Sequence, residues 1–402
     1  MTTTIDNEHK TFNVPNLRFP EFEGEWEEHG LSEFLDFKNG LNPKPEKFGK
    51  GIKFISVMDI LNNTIITYDS IKACVDANNK EIDNYSVKMG DLLFQRSSET
   101  LEDVGRANVY MDEKPAIFGG FVIRGKKKGE YNPLFFKNLL ETPFSRRKII
   151  PMGAGAQHFN IGQEGLSKVK LYFAPINEQN KIAKILSLLD DRISTQNKII
   201  EDLKKLKSAI IEIEYSSKTK TSSHIGDFIV QTSKRNKDNA IRTVLSVSNR
   251  QGFIQQSEQF ENRCVASDDT SNYKIVERND FAFNPARINV GSIARLITFE
   301  KGIVSPMYIC FRTKDYATPE YLDYFFESKL FFTEIQKRLE GSVRQCLSYE
   351  SLCNIPFPLL AIEVQQRIGK QLFTLAQKIK LETDFLEILH KQKQHLLRQM
   401  FI

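Results

Sequence analysis

The sequence repeats itself, so any fold for its 402 residues must be built twice. Ile176 and Ile362 open two segments that match without a gap to the end of the chain, at an offset of 186 residues. Gln179 meets Gln365, Lys184 meets Lys370, Leu189 meets Leu375, Ile193 meets Ile379 and Leu203 meets Leu389. Gly155, Ile161, Glu164 and Leu166 meet Gly341, Leu347, Glu350 and Leu352 at the same spacing. Further upstream the offset drifts, as loops of unequal length require. Gly90, Asp91 and Phe94 meet Asn279, Asp280 and Phe283, Ile55 and Ser56 meet Leu245 and Ser246, and Leu31 and Phe34 meet Ile225 and Phe228. The common order of these matches carries the argument, because chance matches do not stay collinear.

Each copy reads as a mixed α+β module followed by a long helix. The expected division is a polar tail over residues 1–20, a first module over 21–175, a central helix over 176–216, a second module over 217–360 and a C-terminal helix over 361–402. The small polar residues of 217–223 suit a linker. Short apolar runs at 52–60, 120–124 and 303–312 predict strands. Residues 133–148 and 319–339 each begin at a proline, which suits a first helical turn, and predict helices.

Ile182, Leu186, Leu189, Ile193, Gln196, Ile200 and Leu203 advance in alternating steps of four and three. So do Ile368, Leu372, Leu375, Ile379, Glu382, Leu386 and Leu389. This is a heptad seam, the pattern of helices that coil on one another. About 40 residues of helix make a rod of about 60 Å. The two seams are expected to bury each other in one chain with the helices antiparallel. Packing on the helix's own module, or on a second chain, is the alternative.

A charge of +5 and a pI of about 8.7 permit a polyanionic partner without requiring one. Five scattered cysteines form no CxxC pair, which argues against a disulfide framework or a zinc site and fits a reducing, cytoplasmic setting. No apolar run reaches the roughly 18 residues of a membrane span, so no membrane partner is expected.

Leu17, Arg18, Phe19 and Pro20, with Trp26 soon after, resemble the opening of type I restriction–modification specificity subunits. The close of the first module resembles that family too: a glycine turn around Gly153 and Gly155, then Pro175, Glu178 and Gln179 leading into the long helix. The second copy departs from this pattern, lacking the proline and the Glu-Gln pair while keeping Gln365. The resemblance implies two target-recognition domains, each reading half of a split double-stranded DNA sequence, with two long antiparallel coiled-coil helices as ruler and dock. It implies two modification subunits as partners, similar to adenine-N6 methyltransferases using S-adenosylmethionine, and restriction subunits using ATP with Mg in the full complex. No cofactor is expected in this chain. Half-sites one turn of B-DNA apart lie about 34 Å from each other, within the length of such a rod.

DNA reading needs Arg, Asn or Gln at base edges and Lys or Arg at phosphates. The first module offers Lys44, Lys47 and Lys50, then Gln95, Arg96 and Ser98 after a strand, Arg146 and Arg147, and Gln157 with His158. The second offers Lys234, Arg235 and Lys237, then Arg250, Arg287 with Asn289, and Arg344 with Gln345. Arg96 and Arg287 follow collinear strands, which favours that loop in both copies. For each residue the plainer reading is a solvated surface charge.

Enzyme motifs are not found. The stretch Phe283, Asn284, Pro285 and Ala286 lacks the second proline and the aromatic that would stack on a flipped base. Phe118, Gly119, Gly120 and Phe121 form a glycine pair without a βαβ context, and no GxxxxGK[ST] phosphate loop occurs. A coiled-coil scaffold binding only proteins is the competing reading.

Overall fold

The structure, a computed structural model, describes residues 13–215, 223–249, 251–256, 269–341 and 345–402. It consists of two compact units, Met1–Asn197 with Phe385–Ile402, and Lys198–Asp384.

The first unit holds two four-stranded sheets. In one, β2 (Leu35–Asn39), β10 (Val122–Lys127), β6 (Leu92–Gln95) and β8 (Ala107–Val109) lie in that order, all antiparallel. In the other the order is β4 (Cys74–Val75), β3 (Phe48–Ile55), β9 (Ala116–Phe118) and β5 (Ser86–Val87), with β3 and β9 parallel. Two short pairs complete the unit: β1 (Glu27–Gly30) with β12 (Lys170–Phe173), and β7 (Ser97–Ser98) with β11 (Phe159–Asn160).

The second unit repeats both large sheets strand for strand. One is β13 (Ile229–Thr232), β20 (Ile309–Thr313), β17 (Phe281–Phe283) and β18 (Ile293–Arg295). The other is β15 (Gly252–Gln255), β14 (Val244–Ser248), β19 (Lys301–Val304) and β16 (Lys274–Glu277), again with one parallel pair, β14 on β19. The duplication read from the sequence is therefore a duplication of topology and register. Phe94 pairs with Ala107 and Ile123 as Phe283 pairs with Ile293 and Ile309.

Several repeated positions have a physical reason. Gly90 and Asn279 both hold positive φ (89° and 70°), a conformation open to glycine and tolerated by asparagine. The next residue in each copy, Asp91 or Asp280, is buried and accepts a hydrogen bond from the backbone N–H three residues back, closing the turn. Burial pushes both carboxyls up, against the pull of those hydrogen bonds.

The helices after the sheets are each broken in two. α1 (Pro133–Glu141) and α2 (Pro143–Ile149) meet at Thr142, whose hydroxyl caps the second helix and whose successor is a proline. α4 (Pro319–Phe325) and α5 (Lys329–Arg338) meet at Ser328, which caps in the same way. The single helices expected at 133–148 and 319–339 are thus interrupted by N-caps that an apolar pattern does not reveal. The expected strand over 52–60 is also corrected. β3 ends at Ile55, and a capping box of Ser56 and Asp59 starts the helix Val57–Asn62. The run 303–312 is two strands, β19 and β20, divided by a turn.

α3 (Ile176–Glu214) and α6 (Ile362–Gln399) run 39 and 38 residues. Within the first unit they pack antiparallel. Leu189 and Ile193 cluster with Phe385, Leu386, Leu389 and Leu396, and Asp190 pairs with Lys393 at 2.7 Å. Ile182 and Leu186 join Met400 and Phe401 in the main core beneath Trp26 and Phe135. The second unit's core takes the equivalent residues from the other helix: Ile368 and Leu372 with Ile211 and Tyr215. Tyr215 lies on Tyr321 as Phe401 lies on Phe135. Leu203, Leu375 and Ile379, placed on the seam by the heptad pattern, are half-buried rather than buried.

Candidate nucleic-acid interface

In each module a buried glutamine ties the long helix to the helix that follows the sheets. Gln179, 4 % exposed, accepts from Asn132 N (3.0 Å) and donates to Ala174 O (2.8 Å). Gln365, fully buried, accepts from Thr318 N (3.0 Å) and donates to Leu360 O (2.9 Å). Asn132 and Thr318 are the N-caps of α1 and α4. One glutamine therefore locks each long helix to the helix behind the sheets, which explains why it survives where the rest of the motif differs. Arg18 forms a second lock in the first unit only, reaching the buried Glu178 carboxylate through Nε (2.9 Å) and Nη2 (2.8 Å). That hydrogen bond, helped by the charge of Glu178, holds the guanidinium above its ordinary range. The matching position in the second copy is Val364, which packs on the apolar core instead.

A cluster of loops gathers at one end of the β2–β10–β6–β8 sheet. Ile161 N donates to Arg96 O (2.9 Å), and Arg96 N donates to Phe121 O (2.9 Å). β7 pairs with β11, so the loop carrying Gln157 and His158 closes beside Arg96 and Ser98. A turn, Val122 N to Gly119 O at 2.8 Å, joins β9 to β10. A Cβ on Gly120 of that turn would collide with Asn42, so the loop at 40–42 is part of the cluster. The second unit builds the same junctions. Leu347 N donates to Pro285 O (3.1 Å), Glu340 bridges Cys346 as Ala154 bridges Asn160, and Tyr308 N closes on Ser305 O (3.1 Å).

The residues expected to contact DNA fall into distinct groups. Gln157, His158, Lys44, Lys50 and Arg147 are exposed on the first unit, as are Lys234, Arg235, Lys237, Arg287 and Gln345 on the second. Asn289 is half-buried in the loop after β17. Lys47 is engaged with Glu81 at 3.5 Å. Arg235 donates to Asn272 Oδ1 (2.8 Å). Lys234, Arg235 and Lys237 line, with Lys301, a cleft of about 640 Å³ in the second unit. Arg250 and Arg344 lie outside the described residues.

Three residues face inward. Gln95 is buried and donates to Ser97 O (2.9 Å), and Ser98 is buried and accepts from Thr100 N (3.2 Å), so both shape the loop. Arg146 donates to Glu102 O and Val104 O at 2.8 and 2.6 Å, and desolvation pushes its guanidinium down to about 10. Arg96 and Arg287 share a loop but not a position. Gln95 N bonds Arg106 O as Asn284 N bonds Ser292 O, which puts Pro285 where Arg96 stands and Arg287 two residues further on. Arg96 spends one N–H on Gly120 O (3.2 Å) and retains others of its five.

Sequence reasoning missed the Arg18–Glu178 pair and the capping role of the two glutamines. The partners are 160 and 47 positions apart, and only the family-like opening and the repeated Gln179 and Gln365 hinted at them. Among the described residues, no group of three His, Cys, Asp or Glu is placed to hold a metal ion, and no helix is long and apolar enough to cross a membrane.

The chain is thus a doubled α+β module with a loop cluster at one sheet end in each copy. Residues 23–205 match the family profile described as the type I restriction modification DNA specificity domain. The first module and most of α3 are thus similar to the type I restriction–modification specificity family. The chain is 24 % identical over 96 % of its length to a Methanocaldococcus jannaschii protein named as the MjaX type I restriction enzyme specificity subunit, covering 94 % of that protein. The fold is similar to the crystal structure of a type I restriction–modification S subunit from M. genitalium, with a TM-score of 0.62, 15 % identity and coverage of 97 % of this chain and 99 % of that one. A structure described as the basis of complex assembly and conformational transition of the type I system is similar at a TM-score of 0.53 and 14 % identity, covering 94 % of this chain and 97 % of that one.

Proposed function

We propose that each unit reads one half of a bipartite duplex DNA sequence, and that the chain brings two adenine-N6 modification subunits, and restriction subunits, to that site. The observation that carries this reading is the repeated loop cluster, Arg96 with the 119–122 turn in one copy and the 285–291 loop with the 305–308 turn in the other. Two equivalent clusters with different side chains suit two half-sites of different sequence. The first supplies Arg96, Gln157 and His158, the second Arg287 and Gln345. Exposed Lys44, Lys50, Lys234 and Lys237 supply phosphate contacts, which raise affinity without adding specificity.

In this reading the chain supplies no catalytic group. S-adenosylmethionine, and ATP with Mg, are bound by the partner subunits. The test is to map N6-methyladenine in DNA from cells that express the chain with its modification subunits. A split motif with a fixed spacer is expected. Methylation without a split motif refutes the reading, and a protein-only scaffold predicts no salt-sensitive DNA binding by the assembled complex.

A further inference from the structure

The sequence pattern at Phe118, Gly119, Gly120 and Phe121 matches no cofactor loop, yet the structure gives it a place. Phe121 is 67 % exposed, while its neighbours Phe118 and Val122 are fully buried. It stands third in the turn closed by Val122 N and Gly119 O. The equivalent turn of the second unit, closed by Tyr308 N and Ser305 O, carries Met307 in the same place, 58 % exposed between the buried Val304 and Tyr308. A single exposed apolar side chain needs no explanation. The same exposure at the same turn in both copies, although Gly120–Phe121 in one copy is Pro306–Met307 in the other, is a repeated feature.

We propose that Phe121 and Met307 are specificity-determining residues, each packing its apolar tip on the C5-methyl of a thymine in its own half-site. This rests on the DNA reading above. The turn joins the two sheets of its unit, and in the first copy its backbone is fixed by Arg96 N and by the close approach of Gly120 to Asn42. The phenyl ring is therefore held out on a stiff support and loses little freedom on contact. Arg96 donates to the Gly120 carbonyl of the same turn, so a cationic donor stands beside the apolar tip. An apolar group next to a hydrogen-bond donor is what the major-groove edge of thymine beside guanine calls for, a methyl on one base and the N7 and O6 acceptors on the next. A flat aromatic in one copy and a flexible thioether in the other fit thymines presented at different angles.

The test uses the complex with its modification subunits. In wild type, replacing the contacted thymine with deoxyuridine removes only the methyl, and should weaken binding by roughly fivefold at one position in each half-site. Phe121→Ala should abolish that difference in the first half-site alone, and Met307→Ala in the second alone. The methylated motif of each variant should accept cytosine at that one position. A motif and a thymine-to-uracil ratio unchanged in both variants overturn this inference and leave the DNA reading standing. A uniform loss at all sequences overturns it too, and marks the turn as a docking point for a partner protein. A wild-type complex with no bipartite motif overturns the DNA reading and this inference together.

Discussion

Removing the Arg18 side chain would leave a carboxylate that the fold has enclosed. Glu178 has no exposed side-chain surface, and Arg18 meets it through two nitrogens at 2.9 and 2.8 Å. Breaking a buried pair from one side costs about 3–5 kcal/mol, because the remaining charge is stranded. Glu178 lies in the first turn of α3, where the helix dipole recovers about 0.5–1 kcal/mol for an anion. Arg18→Ala should thus destabilise the first unit by about 3 kcal/mol, a fall in Tm of roughly 6–12 °C for a unit of this size. Adding Glu178→Val installs the residue type that the second copy carries at Val364, and should restore about 2 kcal/mol by removing the stranded charge. Differential scanning calorimetry of wild type, the single and the double variant measures both numbers. A single variant within about 1 kcal/mol of wild type, or a double variant no more stable than the single, refutes the reasoning.

Gln179→Ala and Gln365→Ala should each cost about 2 kcal/mol in denaturant titrations, since each leaves a backbone N–H and a backbone carbonyl without a side-chain partner. Arg96→Ala should relax base preference in one half-site by about 1–3 kcal/mol, and an equal weakening on every sequence would reassign it to a phosphate. Desolvation chiefly pushes the Asp323 carboxyl up to about 6, with Arg295 pulling it back. The folded state therefore keeps a proton that the unfolded chain sheds near pH 4, and this contribution to stability declines as pH rises from about 4 to 6, then levels. Asp323→Asn should remove that slope, and equal slopes in the two proteins would refute the assignment. Adding one heptad to both long helices should lengthen the spacer of the methylated motif and leave its half-sites intact.

The doubled plan was legible because its evidence is collinear: a heptad seam of about 40 residues and matched glycines survive divergence in the loops. Strand limits were less legible because apolar runs continue across turns. Residues 303–312 read as one strand, although Ser305 to Tyr308 reverse the chain between two sheets. The candidate site was legible by region and not by register. Aligning the strands that end at Phe94 and Phe283 brings Arg96 and Arg287 into one loop, but only backbone hydrogen bonds show that Pro285 takes the place of Arg96. Arg146 reads as one of a basic pair with Arg147, and nothing local reveals the carbonyls at Glu102 and Val104 that it serves.

Residues 399–402 complete the core of the first module. Leu17 N bonds Gln399 O at 2.8 Å, and Met400 and Phe401 are buried beneath Trp26. In order of synthesis the N-terminal module thus waits for Met400 and Phe401 before its tryptophan is covered, while the second module closes on Tyr215, which precedes it in the chain. Deleting Met400, Phe401 and Ile402 would therefore uncover the core of the module formed by the N-terminal half of the sequence.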